Sequence, residues 1–192
     1  MKKKEDLRVL KTRASLYRGL MSLMKNKAFE DIKISEICSA SLINRSTFYD
    51  HFSDKYELIN SLMDDMKNEL INKLNQNINS ENIKEYYMGV IEILLKHIDD
   101  NKDIYASVAK INSNSIARDM MTEAVIGSVT KEIDTNFINK SNIPTKSIVL
   151  FYASGVINVI IDNLNNVSIF DKKNLIHIID QLLPNLDFFE KK

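Results

Sequence analysis

Apolar residues three and four apart run through almost the whole chain. Leu7, Leu10, Ala14, Tyr17, Met21 and Met24 form one such series, and Leu58, Ile59, Leu62, Met63, Met66, Leu70, Ile71 and Leu74 another. This spacing follows the 3.6-residue turn of an α-helix, whereas a half-buried strand needs strict alternation, and no stretch shows it. Four Gly and two Pro in 192 residues leave little turn chemistry, so long helices joined by polar connections are expected. The expected fold is all-α.

The first series predicts a helix of roughly 20 residues ending at Asn26 and Lys27. Ile34, Ile37, Cys38 and Ser41 predict a short second helix, Leu42 and Ile43 a turn, and Arg45 to His51 a third helix. Two brief helices across so short a turn make a helix-turn-helix. Asp54, with Glu57 three residues on, can cap the long fourth helix, which runs to about Asn77. The Asn-rich stretch NQNINSENIKE is a loop before a helix from Tyr86 to Ile98. Further helices are expected over Ile104 to Lys110, Ser115 to Ile138, Pro144 to Leu164 and Lys172 to Leu183. The segments divide into a three-helix domain over 1–58 and a helical domain over 59–192.

The formal net charge is zero, but it is unevenly placed. Residues 1–60 carry 12 Lys+Arg against 8 Asp+Glu, and the rest carry 14 against 18. A basic end suits a polyanion, and the acidic body suits something else. Cys38 is the only cysteine, which suits a small core residue in a reducing compartment and offers no thiolate-rich metal site. The start MKKKEDLRVLKTR has no signal-peptide apolar core. The most apolar run, Ile148 to Ile161, falls short of the roughly 20 residues of a membrane span. A cytoplasmic location is expected.

The densest chemistry lies in NRSTFYDHFSDKYEL, Asn44 to Leu58. Phe48 and Phe52 fall on the side of the third helix that packs, while Arg45, Ser46, Tyr49 and Asp50 share its outer face. Phosphate contacts need donors such as Thr, Tyr, His and Lys, and base reading needs a longer fork such as Arg. That mixture fits the second helix of a helix-turn-helix laid in a major groove.

The run from Lys11 to Leu62, above all FEDIKISEICSASLINRSTFYDHFSDKYELI, resembles the DNA-binding domain of TetR/AcrR-type bacterial transcriptional regulators. The resemblance covers about the first third of the chain and implies an N-terminal helix-turn-helix followed by a helical dimerisation and ligand domain. It implies that Arg45 and Ser46 face bases and that Thr47, Tyr49, His51 and Lys55 hold phosphates, with Ser35 at a position that often touches DNA. Two places depart from the family pattern. Lys33 stands where Thr or Ser often caps the second helix, and Leu42 stands where Gly often makes the turn. If that turn needs a positive φ, Leu costs on the order of 1 kcal/mol; alternatively it plugs the small core.

By the same resemblance the chain is a homodimeric repressor of a palindromic operator, paired through Ser147 to Leu164 and Leu175 to Leu183. An inducer site is expected along Tyr87, Met88, Tyr105, Met120, Met121, Phe151, Tyr152 and Asn158. Met and aromatic residues suit an apolar ligand, although the same spacing suits plain core. The rival is a DNA-bound adaptor or co-activator whose second domain docks a protein.

No enzyme, cofactor or metal is expected. DDNKD places Asp99, Asn101 and Asp103 like the first ligands of a calcium loop, but Ile104 replaces its glycine and Lys110 its final glutamate. His97 and His177 have no neighbours at metal spacing. No catalytic arrangement or phosphate loop is evident.

Overall fold

The computed structural model describes residues 7–76, 78, 80, 82–108, 115–165, 171–183, 186–187 and 189–192. Among these residues nine α-helices follow one another. They are α1 (Leu7–Met24), α2 (Ile34–Ser41), α3 (Arg45–His51), α4 (Lys55–Leu74), α5 (Ile83–Asp100), α6 (Lys102–Val108), α7 (Ser115–Asn136), α8 (Thr145–Asn165) and α9 (Lys172–Leu182). A single 3₁₀ turn, Phe29–Asp31, joins α1 to α2. Two three-residue strands, β1 (Phe137–Asn139) and β2 (Phe189–Lys191), pair antiparallel with Phe137 opposite Lys191.

The helix starts follow their caps. Asn82 accepts from the Glu85 N–H at 2.9 Å, so α5 begins at Ile83, three residues before the expected Tyr86. Its cap lies inside the Asn-rich stretch that reads as loop. Asp171 caps α9 by accepting from the Asn174 N–H at 2.9 Å. The expected break at DDNKD is only Asn101, the C-cap of α5, before α6 starts at Lys102. Residues 109–110 of the expected helix there, and Pro184, lie outside the described residues.

The chain divides into two compact units. One comprises Met1–Asp65 with Asp103–Asn114, the other Met66–Lys102 with Ser115–Lys192. The partition differs from a cut after residue 58: the boundary lies further along α4, after Asp65, and all of α6 but Lys102 joins the first unit.

In the first unit, Leu16, Leu20, Ile37, Phe48 and Leu58 have no exposed surface. Burying each such side chain contributes roughly 1.5–3 kcal/mol before entropy is charged against it. The approach of α1 to α2 depends on Gly19. A methyl there would sit 2.9 Å from Ser41 Cβ and 3.0 Å from its backbone nitrogen.

In the second unit, α7 packs along α8, while α5 meets α9 and β2. Met121, Val129 and Val149 are wholly buried. By length and apolarity α8 is the one described helix able to cross a membrane. Here its inner face, with Ile148, Val149, Ala153 and Ile157, is buried within the unit.

Candidate nucleic-acid interface

The outer face of α3 follows from which residues its core claims. Phe48 is wholly buried and Phe52 nearly so, their rings 6.1 Å apart. A seven-residue helix anchored on that side must turn Arg45, Ser46, Tyr49 and Asp50 outward, and all four are exposed. Tyr49 stays 55% exposed while its ring rests edge-on against Phe48 at 5.5 Å. Its hydroxyl is therefore held outward by a fixed base. Thr47 and His51 are half-buried at the flanks. Among the described residues, no side-chain hydrogen bond occupies Arg45, Ser46, Tyr49 or His51. Cys38 is buried beneath this layer, and burial pushes its thiol up.

The turn before α3 is left-handed. Leu42 has φ 57° and ψ 36°, and its N–H caps α2 by donating toward the carbonyls of Cys38 and Ser39. The positive φ expected of that position is present. The core-plug alternative is not, because the Leu42 side chain is 92% exposed. A strained backbone with an exposed apolar side chain is the cost of closing this turn without glycine.

At the front of α2, Lys33 occupies the N-cap and has no acceptor to offer. Glu36 compensates from inside the helix, accepting from the Lys33 N–H at 2.8 Å. Lys27 holds that carboxylate at 2.8 Å through both oxygens. The ion pair with Lys27, then the Lys33 N–H, draws the Glu36 carboxyl below its ordinary range. Ser35, next to the cap, is half-buried, and its carbonyl accepts from the Ser39 hydroxyl at 2.9 Å.

At the front of α4, Asp54 accepts from the Glu57 N–H at 2.8 Å. The reciprocal bond reaches one residue further back than a capping box requires. Glu57 accepts from the Ser53 N–H at 2.6 Å and the Ser53 hydroxyl at 2.7 Å.

Lys55, expected to hold a phosphate, is engaged within the chain in this structure. Its ammonium donates to the carbonyls of Phe29 at 2.8 Å, Glu30 at 2.7 Å and Ile32 at 3.0 Å. An ammonium has three protons, and all three are spent. Nothing in the local sequence signals this, because the acceptors are backbone atoms more than 20 residues away.

The eight residues expected to line a ligand site do not gather in one cavity. Tyr105 is buried in the first unit, whereas the other seven belong to the second. Met88 lines a cleft of about 730 Å³ with Asn82, Glu92 and Asp180. Phe151 and Tyr152 line a separate apolar groove of about 300 Å³ with Val156, Ile179 and Leu182. Tyr87, Met120 and Met121 are buried, and Asn158 is exposed with its amide donating back to the Ser154 carbonyl at 2.8 Å.

The carboxylates of DDNKD are engaged by lysines. Asp99 meets Lys172 at 2.6 Å, Asp100 meets Lys73 at 3.2 Å and Asp103 meets Lys25 at 3.1 Å. No cluster able to hold a metal occurs among the described residues.

A short helix presenting Arg, Ser and Tyr, set behind a second short helix by a left-handed turn, defines a helix-turn-helix DNA-binding protein. Comparison with known proteins gives the family. Residues 13–62 match the bacterial regulatory proteins of the tetR family, and residues 87–185 match a transcriptional regulator C-terminal region. The chain is 29% identical over 105 residues to the HTH-type dhaKLM operon transcriptional activator DhaS of Lactococcus lactis subsp. lactis (strain IL1403). That match covers 54% of this chain and 51% of the relative. It is 36% identical over 73 residues to the uncharacterized HTH-type transcriptional regulator YxbF of Bacillus subtilis (strain 168), covering 38% of this chain and 19% of that one. The matches thus span about half the length of the first relative and about a fifth of the second. A putative TetR-family transcriptional regulator from Syntrophomonas wolfei str. Goettingen shares the fold, with a TM-score of 0.73 at 14% identity over 90% of this chain and 93% of that chain. The chain belongs to the TetR family of bacterial transcriptional regulators, DNA-binding proteins that are not enzymes.

Proposed function

We propose that the chain acts in the cytoplasm as a homodimeric repressor of a palindromic operator, released when a small molecule occupies its second unit. The observation that carries the DNA reading is the outer face of α3. Arg45 and Ser46 read base edges there, while Ser35, Thr47, Tyr49 and His51 hold phosphates on either side. Lys55 is left out of this set because its protons are already engaged.

Pairing through α8 and α9 is supported by Phe151 and Leu182, which are 75% and 67% exposed along the apolar groove, and by Leu150, 47% exposed on α8. A second copy covering them would set two recognition helices at half-sites roughly 34–36 Å apart. Helix α4 begins in the first unit and ends in the second. A ligand that favours another placement of its far end would shift the half-site spacing and release the operator. Supporting a polar ligand contact, the Tyr86 and Tyr87 hydroxyls are buried without a hydrogen-bond partner among the described residues.

Binding-site selection from a random duplex pool, with wild type and Arg45→Ala in parallel at fixed salt, tests the reading. An enriched palindrome degraded at matched positions in the variant supports it, and no enrichment at any salt rejects it.

A second reading is favoured by the exposed apolar groove together with a relative named an activator. In it the second unit docks a protein, and the chain serves as a DNA-bound adaptor or co-activator. A chain that remains dimeric after Phe151→Glu would leave the groove free for such a partner.

A further inference from the structure

The first turn of α4 holds an ammonium in a site built from backbone. Lys55 Nζ lies within 3.0 Å of three carbonyl oxygens, those of Phe29, Glu30 and Ile32. The 3₁₀ turn Phe29–Asp31 ends with carbonyls that have few helical partners, and such orphans need donors. Two aromatic faces complete the site, with Nζ 4.9 Å from the Phe29 ring centre and 5.6 Å from that of Tyr56. The two rings meet edge-on at 5.3 Å. Phe29 is 3% exposed, so this connection is seated in the core of the first unit.

We infer that Lys55 is a positioning residue for DNA binding and not a phosphate ligand. Its ammonium clamps the α1–α2 connection to the N-terminus of α4, fixing where α2 begins and so how α3 is presented. Binding a phosphate would draw the ammonium away from these three carbonyls and loosen the connection they belong to. The compact charge of a lysine suits this task, since three converging carbonyls accept from three tetrahedral protons. A planar guanidinium fits them poorly.

The inference takes α3 as the recognition helix only for what the clamp serves, so its first test needs no DNA. The full chain is labelled sparingly with acetic anhydride, and modification of Lys55 is compared by mass spectrometry with that of Lys33, which is exposed. Lys55 is expected to react several-fold more slowly, and its reactivity is expected to stay unchanged when a random-sequence duplex is added at low salt. Reaction as fast as that of Lys33 in the free protein overturns the clamp. So does protection that arises only with DNA. Failure of the chain to bind any duplex would instead count against the DNA reading and leave the free-protein result standing.

A second arm uses Lys55→Met and follows DNA affinity across salt concentrations. A positioning role predicts an affinity loss of similar fold at every salt, with the slope unchanged and the thermal midpoint lowered. A slope reduced by about 0.9, the signature of one lost phosphate contact, overturns it. Should the variant not fold, the labelling of the wild-type chain decides alone.

Discussion

Tyr17 donates its phenolic proton to Asp65 at 2.9 Å, tying the middle of α1 to α4 at the last α4 residue of the first unit. Arg13, one turn earlier, reaches the Ser61 hydroxyl at 2.7 Å and Asp65 at 3.2 Å. Burial raises the Tyr17 hydroxyl above its ordinary value of 10, against the pull of Ser61 and Arg13, so it remains a donor at neutral pH. Tyr17→Phe keeps the ring against Phe52 and removes only the bond. It is expected to cost about 1 kcal/mol in urea unfolding. An unchanged midpoint would mean that Arg13 alone holds α4.

Gly19→Ala tests the approach of α1 to α2. The added methyl meets backbone as well as the Ser41 side chain, so it cannot be accommodated by a rotamer change. Overpacking of this kind costs roughly 1–3 kcal/mol, outweighing the better helix propensity of Ala. A stabilised variant would show that the two helices separate freely.

Leu42→Gly should do the opposite. Relief of the left-handed leucine is worth about 1–2 kcal/mol, less the roughly 0.5–1 kcal/mol that glycine loses to backbone entropy. A net gain of several tenths of a kcal/mol is expected in thermal unfolding. Destabilisation would show that the exposed side chain makes contacts worth more than the strain.

Acid should loosen the DNA-binding helices as it reaches carboxylates that keep their charge below the ordinary range. Glu36 is held low chiefly by Lys27, and Glu57 chiefly by the Ser53 N–H. A depressed carboxyl lends stability above the usual value of 4.5 and loses it as pH falls through the lowered folded value. Stability measured by chemical unfolding should therefore fall with pH below 4.5, and less steeply in Glu57→Gln. Equal slopes in the two proteins would remove Glu57 from the account.

Phe151→Glu should convert a dimer to a monomer in sedimentation velocity while leaving the helical circular dichroism intact. The side chain is 75% exposed, so a carboxylate there disturbs no core. Retention of a dimer would place the subunit contact elsewhere.

Helices α1 to α3 are legible because each is apolar on one side only and ends at polar or turn residues. Their bounds at Met24, Ser41 and His51 follow from that one-sided pattern. The outward face of α3 follows from Phe48 and Phe52 in the same way. What the sequence hides is long-range or backbone-borne. Strands β1 and β2 are three residues each, too short to alternate, and pair from opposite sides of α8 and α9 in the sequence. Lys55 satisfies carbonyls, which have no letter in a sequence. Phe151 and Met121 look alike as apolar residues at helical spacing, yet one is 75% exposed and the other wholly buried. Tyr105 reads as a residue of the second domain but packs in the first unit, because α6 returns to it.

The pairing of β2 with β1 bears on how the protein is made. During synthesis Phe137 to Asn139 leave the ribosome long before Phe189 to Lys191, so their partner strand is missing while translation continues. The unit around Phe48 is fully synthesised once Asn114 has emerged. The DNA-reading fold can thus be complete on a nascent chain whose remaining half is still open, with Phe137 waiting unpaired until Lys191 has been made.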